Sequence, residues 1–289
     1  MPRIDLLADS SCVFGLLCPD LAPDIANQVP PPSENCRYFR GTFLRKEFLQ
    51  RWVLIGIEVY LTARNLHDLH KAVQHHTNRF SGRDVKIVLQ WVNLFMKHAR
   101  QCPSEEIIEQ FGWEVLRLAE AYDSRFPRWV PDRTGCECGR LDFPEPSPTL
   151  ASRLRVFYND FTGAEQHCRL GDLLGCERGG DASLAKFRGI DPKSVPRESR
   201  DGLRGLQKNL ERFIGDRRTP DCGVNGCSKI GDLLIVLEQP PSHVLYHTDH
   251  VFSVLCPMFG RKNSLVKMQS VAKLIDAATQ EYEAESSGN

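Results

Sequence analysis

The chain has 289 residues, 41% hydrophobic and 26% charged, with 37 basic and 37 acidic side chains that cancel to a formal net charge of zero. That length suffices for one large domain or two modest ones with a buried core, and the balance excludes a disordered or fibrous chain. Zero net charge removes any global attraction to a polyanion, so only local patches bear on nucleic-acid binding.

Ile4 to Ala8 reads as a short buried strand closed by the polar turn Asp9-Ser10-Ser11, and Cys12 to Leu17 is apolar enough to begin a helix. The opening stretch lacks a basic lead and Asp5 and Asp9 break its apolar run, so it is expected to belong to the fold rather than to a signal peptide. Leu21 to Cys36 is proline-rich and looped, because Pro30 to Pro32 cannot be helical. From Thr42 to about Ala63 the apolar positions Phe43, Leu44, Phe48, Leu49, Trp52, Ile55, Val59 and Tyr60 repeat at helical spacing and predict a long helix. Its apolar run Trp52 to Leu61 is about half of what a membrane span requires and contains Glu58, so no membrane role is expected.

Helical patterns follow over Val85 to Arg100 and Glu105 to Tyr122. From Phe126 to about Ser194 proline, glycine and cysteine accumulate and periodicity fades, which reads as a loop-rich insertion. A helix from about Ser199 to Ile214 leads into a Cys-containing turn, Pro220 to Cys227, and then into an apolar helix opened by Gly231-Asp232 and stopped by Pro240-Pro241. His243 to His247 reads as a buried strand, Thr248-Asp249 as the turn at its carboxyl end, and Val251 to Met258 and Leu265 to Tyr282 as helices. Strand, helices, insertion, helix, strand and helix in that order suit a mostly parallel sheet with helices on its faces, a three-layer α/β sandwich enlarged by a helical, Cys-containing insertion. The expected division is a discontinuous core, 1–65 with 199–289, around an insertion at 66–198 whose loop-rich part spans 126–198.

Three aspartates occupy positions that an open parallel sheet brings to its ligand crevice: Asp9 after the first strand, Asp232 in the first turn of a helix, and Asp249 after a later strand. Each taken singly has an ordinary structural reading, since aspartates cap helices and close turns. Carboxylates gathered without a matching cation need a metal.

Leu6 to Ser11, Gly231 to Glu238 and His247 to Cys256 together resemble the PIN domain family of metal-dependent ribonucleases. The resemblance covers about the first 65 and the last 70 residues; the central stretch has no counterpart in it. It implies an Asp followed by a small hydroxylated residue after the first strand, matched by Asp9 and Ser10. It implies a helix opening with Asp, matched by Asp232, and a Thr-Asp turn, matched by Thr248 and Asp249, with Phe252 close behind. The family's further acid on a helix after the first strand is matched by Glu47, with Glu58 as competitor, eleven residues on and on nearly the same face of an ideal helix. The activity implied is hydrolysis of RNA phosphodiester bonds by water activated on one or two Mg²⁺ or Mn²⁺ ions held by Asp9, Glu47, Asp232 and Asp249. Ser10 or Thr248 would position water or substrate. DNA or a flap structure is the alternative substrate, and a non-catalytic scaffold binding RNA or protein is the alternative role.

Eleven cysteines, an odd number without an export signal, are expected to stay reduced in the cytoplasm. Cys136 with Cys138, and Cys222 with Cys227, form two close pairs that could hold a structural Zn²⁺, with His167, Cys168 and Cys176 as substitutes. Unliganded thiols are the other reading. Cys12, Cys18, Cys36, Cys102 and Cys256 lie in or beside apolar or helical stretches and read as core residues. His67, His70, His75 and His76 read as a solvated helix face, while His247 or His250 could meet a phosphate or the acids. Arg37 to Arg51, with five basic residues against one acid, and Arg188 to Arg218, with nine against five, are two locally basic runs. Such runs bind a phosphate backbone or simply form solvated surface.

Overall fold

The computed structural model describes residues 4–19, 22–79, 104–127, 138–144, 149–166, 185, 187–215 and 230–267. Strand β1 is Ile4–Ala8, and its apolar run is buried at Leu6, Leu7 and Ala8. Helix α1 (Ser10–Leu17), the single turn α2 (Pro23–Ala26) and strand β2 (Cys36–Phe39) follow. A continuous helix then runs over residues 42–66, made of α3 (Thr42–Phe48), a π-helical turn Leu49–Leu54 and α4 (Ile55–Leu66). Next come α5 (Leu69–Thr77), α6 (Ser104–Arg125), α7 (Leu150–Gln166) and α8 (Arg197–Gly215). The chain returns through α9 (Gly231–Glu238), β3 (Val244–His247), α10 (Phe252–Met258) and β4 (Lys262–Leu265).

The four strands form one sheet in the order β2-β1-β3-β4, every neighbouring pair parallel. With helices packed on it, this is the α/β three-layer sandwich expected from the alternation of strands and helices. From β1 the chain crosses to β2 on one side, while β3 and β4 add on the other. The order therefore reverses at the carboxyl ends of β1 and β3, where such sheets open a crevice.

Two strands had no counterpart in the sequence reading. β2 lies just beyond the proline-rich loop, and Tyr38 anchors it by burying its ring and donating its hydroxyl to Pro30 O at 2.7 Å. β4 takes the first residue of the segment expected to be a helix from Leu265 onward; beyond residue 267 that helix lies outside the described residues. Gly260, at φ +64°, ends α10 in the left-handed conformation that glycine adopts without strain and turns the chain back to the sheet. Buried Gln239 then holds the turn, donating to His243 O at 2.9 Å and Lys262 O at 2.6 Å.

The stretch expected to lose periodicity contains the 17-residue helix α7. Leu154, Phe157 and Phe161 are its buried stripe, and they join one apolar core with Phe111 and Val115 of α6 and Val59 and Tyr60 of α4. Arg45 of α3 binds Asp123 of α6 through Nε at 2.8 Å and Nη2 at 2.6 Å; Arg40 pairs with the same carboxylate. Arg45 Nη1 also donates to Gly139 O and Leu141 O. The helix 85–100, the turn 220–227, and Cys136, Cys222, Cys227, His167, Cys168 and Cys176 lie outside the described residues; Cys138 is buried.

Candidate functional site

Asp9 follows β1 in extended backbone (φ −64°, ψ 169°) and is 5% exposed. Its Oδ1 accepts from Cys12 N at 2.8 Å, capping α1. Its Oδ2 accepts from Thr248 N at 2.7 Å and Thr248 Oγ1 at 3.1 Å. One carboxylate thus joins the end of β1, the start of α1 and the end of β3. Thr248 spends its hydroxyl on Asp9, and Asp249 Oδ1 accepts from Val251 N at 3.0 Å in the turn that opens α10. The ordinary roles of aspartate, cap and turn, are therefore present alongside any chemical one.

Asp232 stands half-buried in the first turn of α9. Gly231 lets that turn lie against α3, because a Cβ there would meet Phe43 Cε1 at 2.7 Å. At the other end of α9, Glu238 accepts from Phe43 N with both oxygens, at 3.0 and 3.1 Å, and so caps the helix that carries Glu47. This orienting contact escaped the sequence reading; the pairing of an acid at a helix end with a helix start elsewhere leaves no local signature.

Glu47 pairs with Arg51 one turn on, Oε1 to Nη1 at 3.0 Å, and the same Nη1 donates to Ser10 Oγ at 3.4 Å. Ser10 is 1% exposed. Burial works against a charged guanidinium, but the carboxylates of Glu47, Asp232, Asp9 and Asp249 outweigh it and hold Arg51 above the ordinary arginine range. All four candidate acids therefore act on one side chain through their charge, Glu47 at ion-pair distance. Glu58, the competitor, points elsewhere and accepts from Tyr158 Oη at 2.8 Å. The cause is the π-turn between the two glutamates. It takes one residue more than an α-turn to close, which shifts the phase by roughly 100° and undoes the shared face of an ideal helix.

Arg51 was missed as a site residue because it sits in a basic run that reads as surface. That run is instead spent on internal pairs: Arg37 with Asp5 at 3.1 Å, Arg40 and Arg45 with Asp123, and Arg51 with Glu47. A basic residue one turn after Glu47 and set beside the apolar run Trp52 to Ile55 was the available signal. In the second run Arg188 pairs with Glu211 and Arg204 with Asp201; residues 216–218 are outside the described set.

The donor set, four carboxylates with hydroxyls nearby, suits a hard divalent cation such as Mg²⁺ or Mn²⁺ in its chemistry. In the geometry present, however, no three His, Cys, Asp or Glu side chains among the described residues stand close enough to share one ion. Among the described residues, the Arg51 guanidinium is a positive charge set near these acids. Cys12, beside Asp9, is a neutral thiol, its pKa pushed well up first by burial and then by that carboxylate.

The histidines take other roles. His247 is buried and bonded through Nε2 to Asn263 Oδ1 at 3.1 Å, and exposed His250 gives its carbonyl to Ser199 Oγ. His67, His70 and His75 are exposed as a solvated face requires, but His76 is 5% exposed and bonded to Thr62 Oγ1 at 2.9 Å. It turns inward because α5 packs along α4. Among the described residues no helix is long and apolar enough to cross a membrane. Comparison of the chain with protein-family models, with curated proteins and with solved structures finds no match.

Proposed function

We propose that the chain is a PIN-like metal-dependent endonuclease that hydrolyses RNA phosphodiester bonds. The observation that carries this reading is that Asp9 and Asp249 stand at the carboxyl ends of β1 and β3, with Glu47 tied through Arg51 to Ser10 next to Asp9 and the charges of Asp9, Glu47, Asp232 and Asp249 all acting on that guanidinium. Asp9, Asp249 and Glu47 each have a local cap, turn or pairing role, and an open parallel sheet places its ligand at the strand ends where Asp9 and Asp249 stand. A bound Mg²⁺ or Mn²⁺ supplies Lewis acidity toward the phosphodiester and its attacking water. The chain's own part is to hold Asp9 rigid through Cys12 and Thr248, to hold Glu47 and Asp232 at a fixed spacing through Glu238, and to set Ser10 beside the reacting group. Arg51 offers the substrate strand a guanidinium.

A second reading has its own support. Arg51 already balances part of the acidic charge, and among the described residues no three donors share an ion's reach, as fits a non-catalytic PIN-like scaffold that binds RNA or protein. Side-by-side digestion of RNA and DNA oligonucleotides with Mn²⁺, using wild type, Asp232→Asn, Glu47→Gln and Glu58→Gln, separates these. The nuclease reading expects metal-dependent RNA cleavage that falls at least about a hundredfold in the first two variants and stays near wild type in Glu58→Gln. Cleavage of DNA alone moves the substrate to DNA or a flap. Cleavage undiminished in Asp232→Asn and Glu47→Gln refutes the site, and no cleavage with no saturable Mn²⁺ binding leaves the scaffold.

A further inference from the structure

The outward face of α8 carries charge that the fold does not use. Ser199, Leu203, Leu206 and Leu210 are buried, and at about 100° per residue the opposite side presents Arg197, Asp201, Arg204, Lys208 and Arg212 in one stripe, with Glu211 at its edge. The side chains of Arg197, Lys208 and Arg212 have no partner among the described residues. Arg204 meets Asp201 only at 3.5 Å, with 55% and 96% of the two side chains exposed, a surface pair that contributes next to nothing. Arg200, off the stripe, is spent on structure instead, donating from Nε to Val195 O at 3.1 Å and from Nη2 to Lys193 O at 3.2 Å.

The first turns of α8 are seated on the turn that follows β3. Ser199 Oγ donates to His250 O at 2.9 Å, and a Cβ on Gly202 would stand 3.3 Å from Val251 Cβ. One end of the stripe therefore lies beside the strand-end rim where Asp249 stands. The stripe offers charge and N–H donors in single file, with no aromatic ring on which a base could stack, and a phosphate backbone is the partner that takes such a row. The apolar side of α8 is used up in the core, so the helix has no face to lay into a lipid surface.

We infer that the 197–212 stripe of α8 is the docking surface for the phosphate backbone of RNA, holding the strand beside the Asp249 turn without regard to its sequence. This takes RNA as the partner from the reading proposed above and adds the surface that holds it. At about 1.5 Å per residue the stripe is about 22 Å long, enough for about six nucleotides at about 3.4 Å each.

The test is fluorescence anisotropy of a labelled single-stranded RNA oligonucleotide with the full chain, in chelator, from about 50 to about 200 mM salt. Arg204→Gln combined with Lys208→Gln and Arg212→Gln is expected to bind at least about tenfold more weakly than wild type at about 100 mM salt. Its slope of log affinity against log salt should be shallower by about 2, since each lost phosphate contact takes about 0.7 from it. Asp201→Asn with Glu211→Gln, which strips the acids from the stripe, should bind at least about threefold more tightly. A matched triple, Lys71→Gln with Arg117→Gln and Arg155→Gln, removes three exposed cations from α5, α6 and α7 and should stay within about threefold of wild type. DNA of the same sequence should bind within about tenfold of RNA, because the contact is to phosphate rather than to base or 2′-hydroxyl. Every substituted side chain is exposed, so melting curves should match wild type within a few degrees. An α8 triple that binds like wild type, or a matched triple that loses as much, overturns the inference and leaves Mn²⁺-dependent cleavage standing. RNA binding carried by α8 without metal-dependent cleavage overturns the nuclease reading alone. A wild type that binds no RNA at about 50 mM salt, or that binds phosphatidylserine vesicles in its place, overturns the docking surface.

Discussion

Replacing Asp9 by Asn changes two atoms' character and almost no volume, yet it should destabilise the fold markedly. The carboxylate accepts from Cys12 N on one oxygen and from Thr248 N and Oγ1 on the other. An amide has one acceptor oxygen. If that oxygen faces Thr248, the NH₂ group confronts Cys12 N; if it faces Cys12, the NH₂ group confronts Thr248 N. Either way a buried backbone N–H meets a donor, a loss of about 1–3 kcal/mol, and the surviving bonds fall from charge-assisted to neutral at about 1 kcal/mol more. The total is about 2–4 kcal/mol, or a drop of about 1 M in the urea midpoint for a slope of about 3 kcal/mol/M. Asp232→Asn, in a half-buried first turn, should cost less, about 1 kcal/mol from helix-end electrostatics and its charge toward Arg51 together. Urea unfolding followed by tryptophan fluorescence and circular dichroism, in chelator, measures both. A loss below about 0.5 kcal/mol for Asp9→Asn would refute the three-way tie. Asp232, not Asp9, is thus the residue whose substitution tests chemistry without testing the fold.

Gly231→Ala should be destabilising by about 1–3 kcal/mol in the same assay, despite alanine's better helix propensity, because the added Cβ meets the Phe43 ring. Asp123→Asn should cost about 2–3 kcal/mol, seen as a fall of several degrees in melting temperature, since it weakens the acceptor of buried Arg45 and of Arg40 together. Burial lowers the pKa of both His76 and His243, so the folded state binds their protons less readily than the unfolded chain does. The stability their neutral rings contribute is full above about pH 6.5 and is lost as pH falls from there through the lower folded values. Urea midpoints between pH 5 and 8 should therefore decline on the acid side, and His76→Gln should flatten part of that decline.

How much could be read in advance depended on whether a segment carries its own signal. β1 and β3 are apolar runs ending in polar turns, and they were legible within a residue. β4, Lys-Asn-Ser-Leu, has no apolar alternation and exists as a strand because it pairs with Val244 to His247. α7 was hidden by composition: Leu150, Leu154, Phe157 and Phe161 keep helical spacing, but the prolines and cysteines flanking them read as loop. At the site, the three aspartates were legible because each stands at an element boundary. Glu47 against Glu58 was not, since periodicity assumes an unbroken α-helix and the π-turn breaks it.

That π-turn also constrains the length of the chain at one place. Upstream of it Phe43 and Arg45 owe contacts to Glu238 and Asp123, and Arg51 inside it owes one to Ser10; downstream, Glu58 and Tyr60 owe theirs to Tyr158 and Glu109. Deleting one residue between 49 and 54 would let residues 42–66 wind as regular α-helix, a locally better structure. The two ends would then be out of phase by roughly 100°, and only one set of partners could be met. Homologous chains sharing both sets should therefore conserve the number of residues here more strictly than the residues themselves.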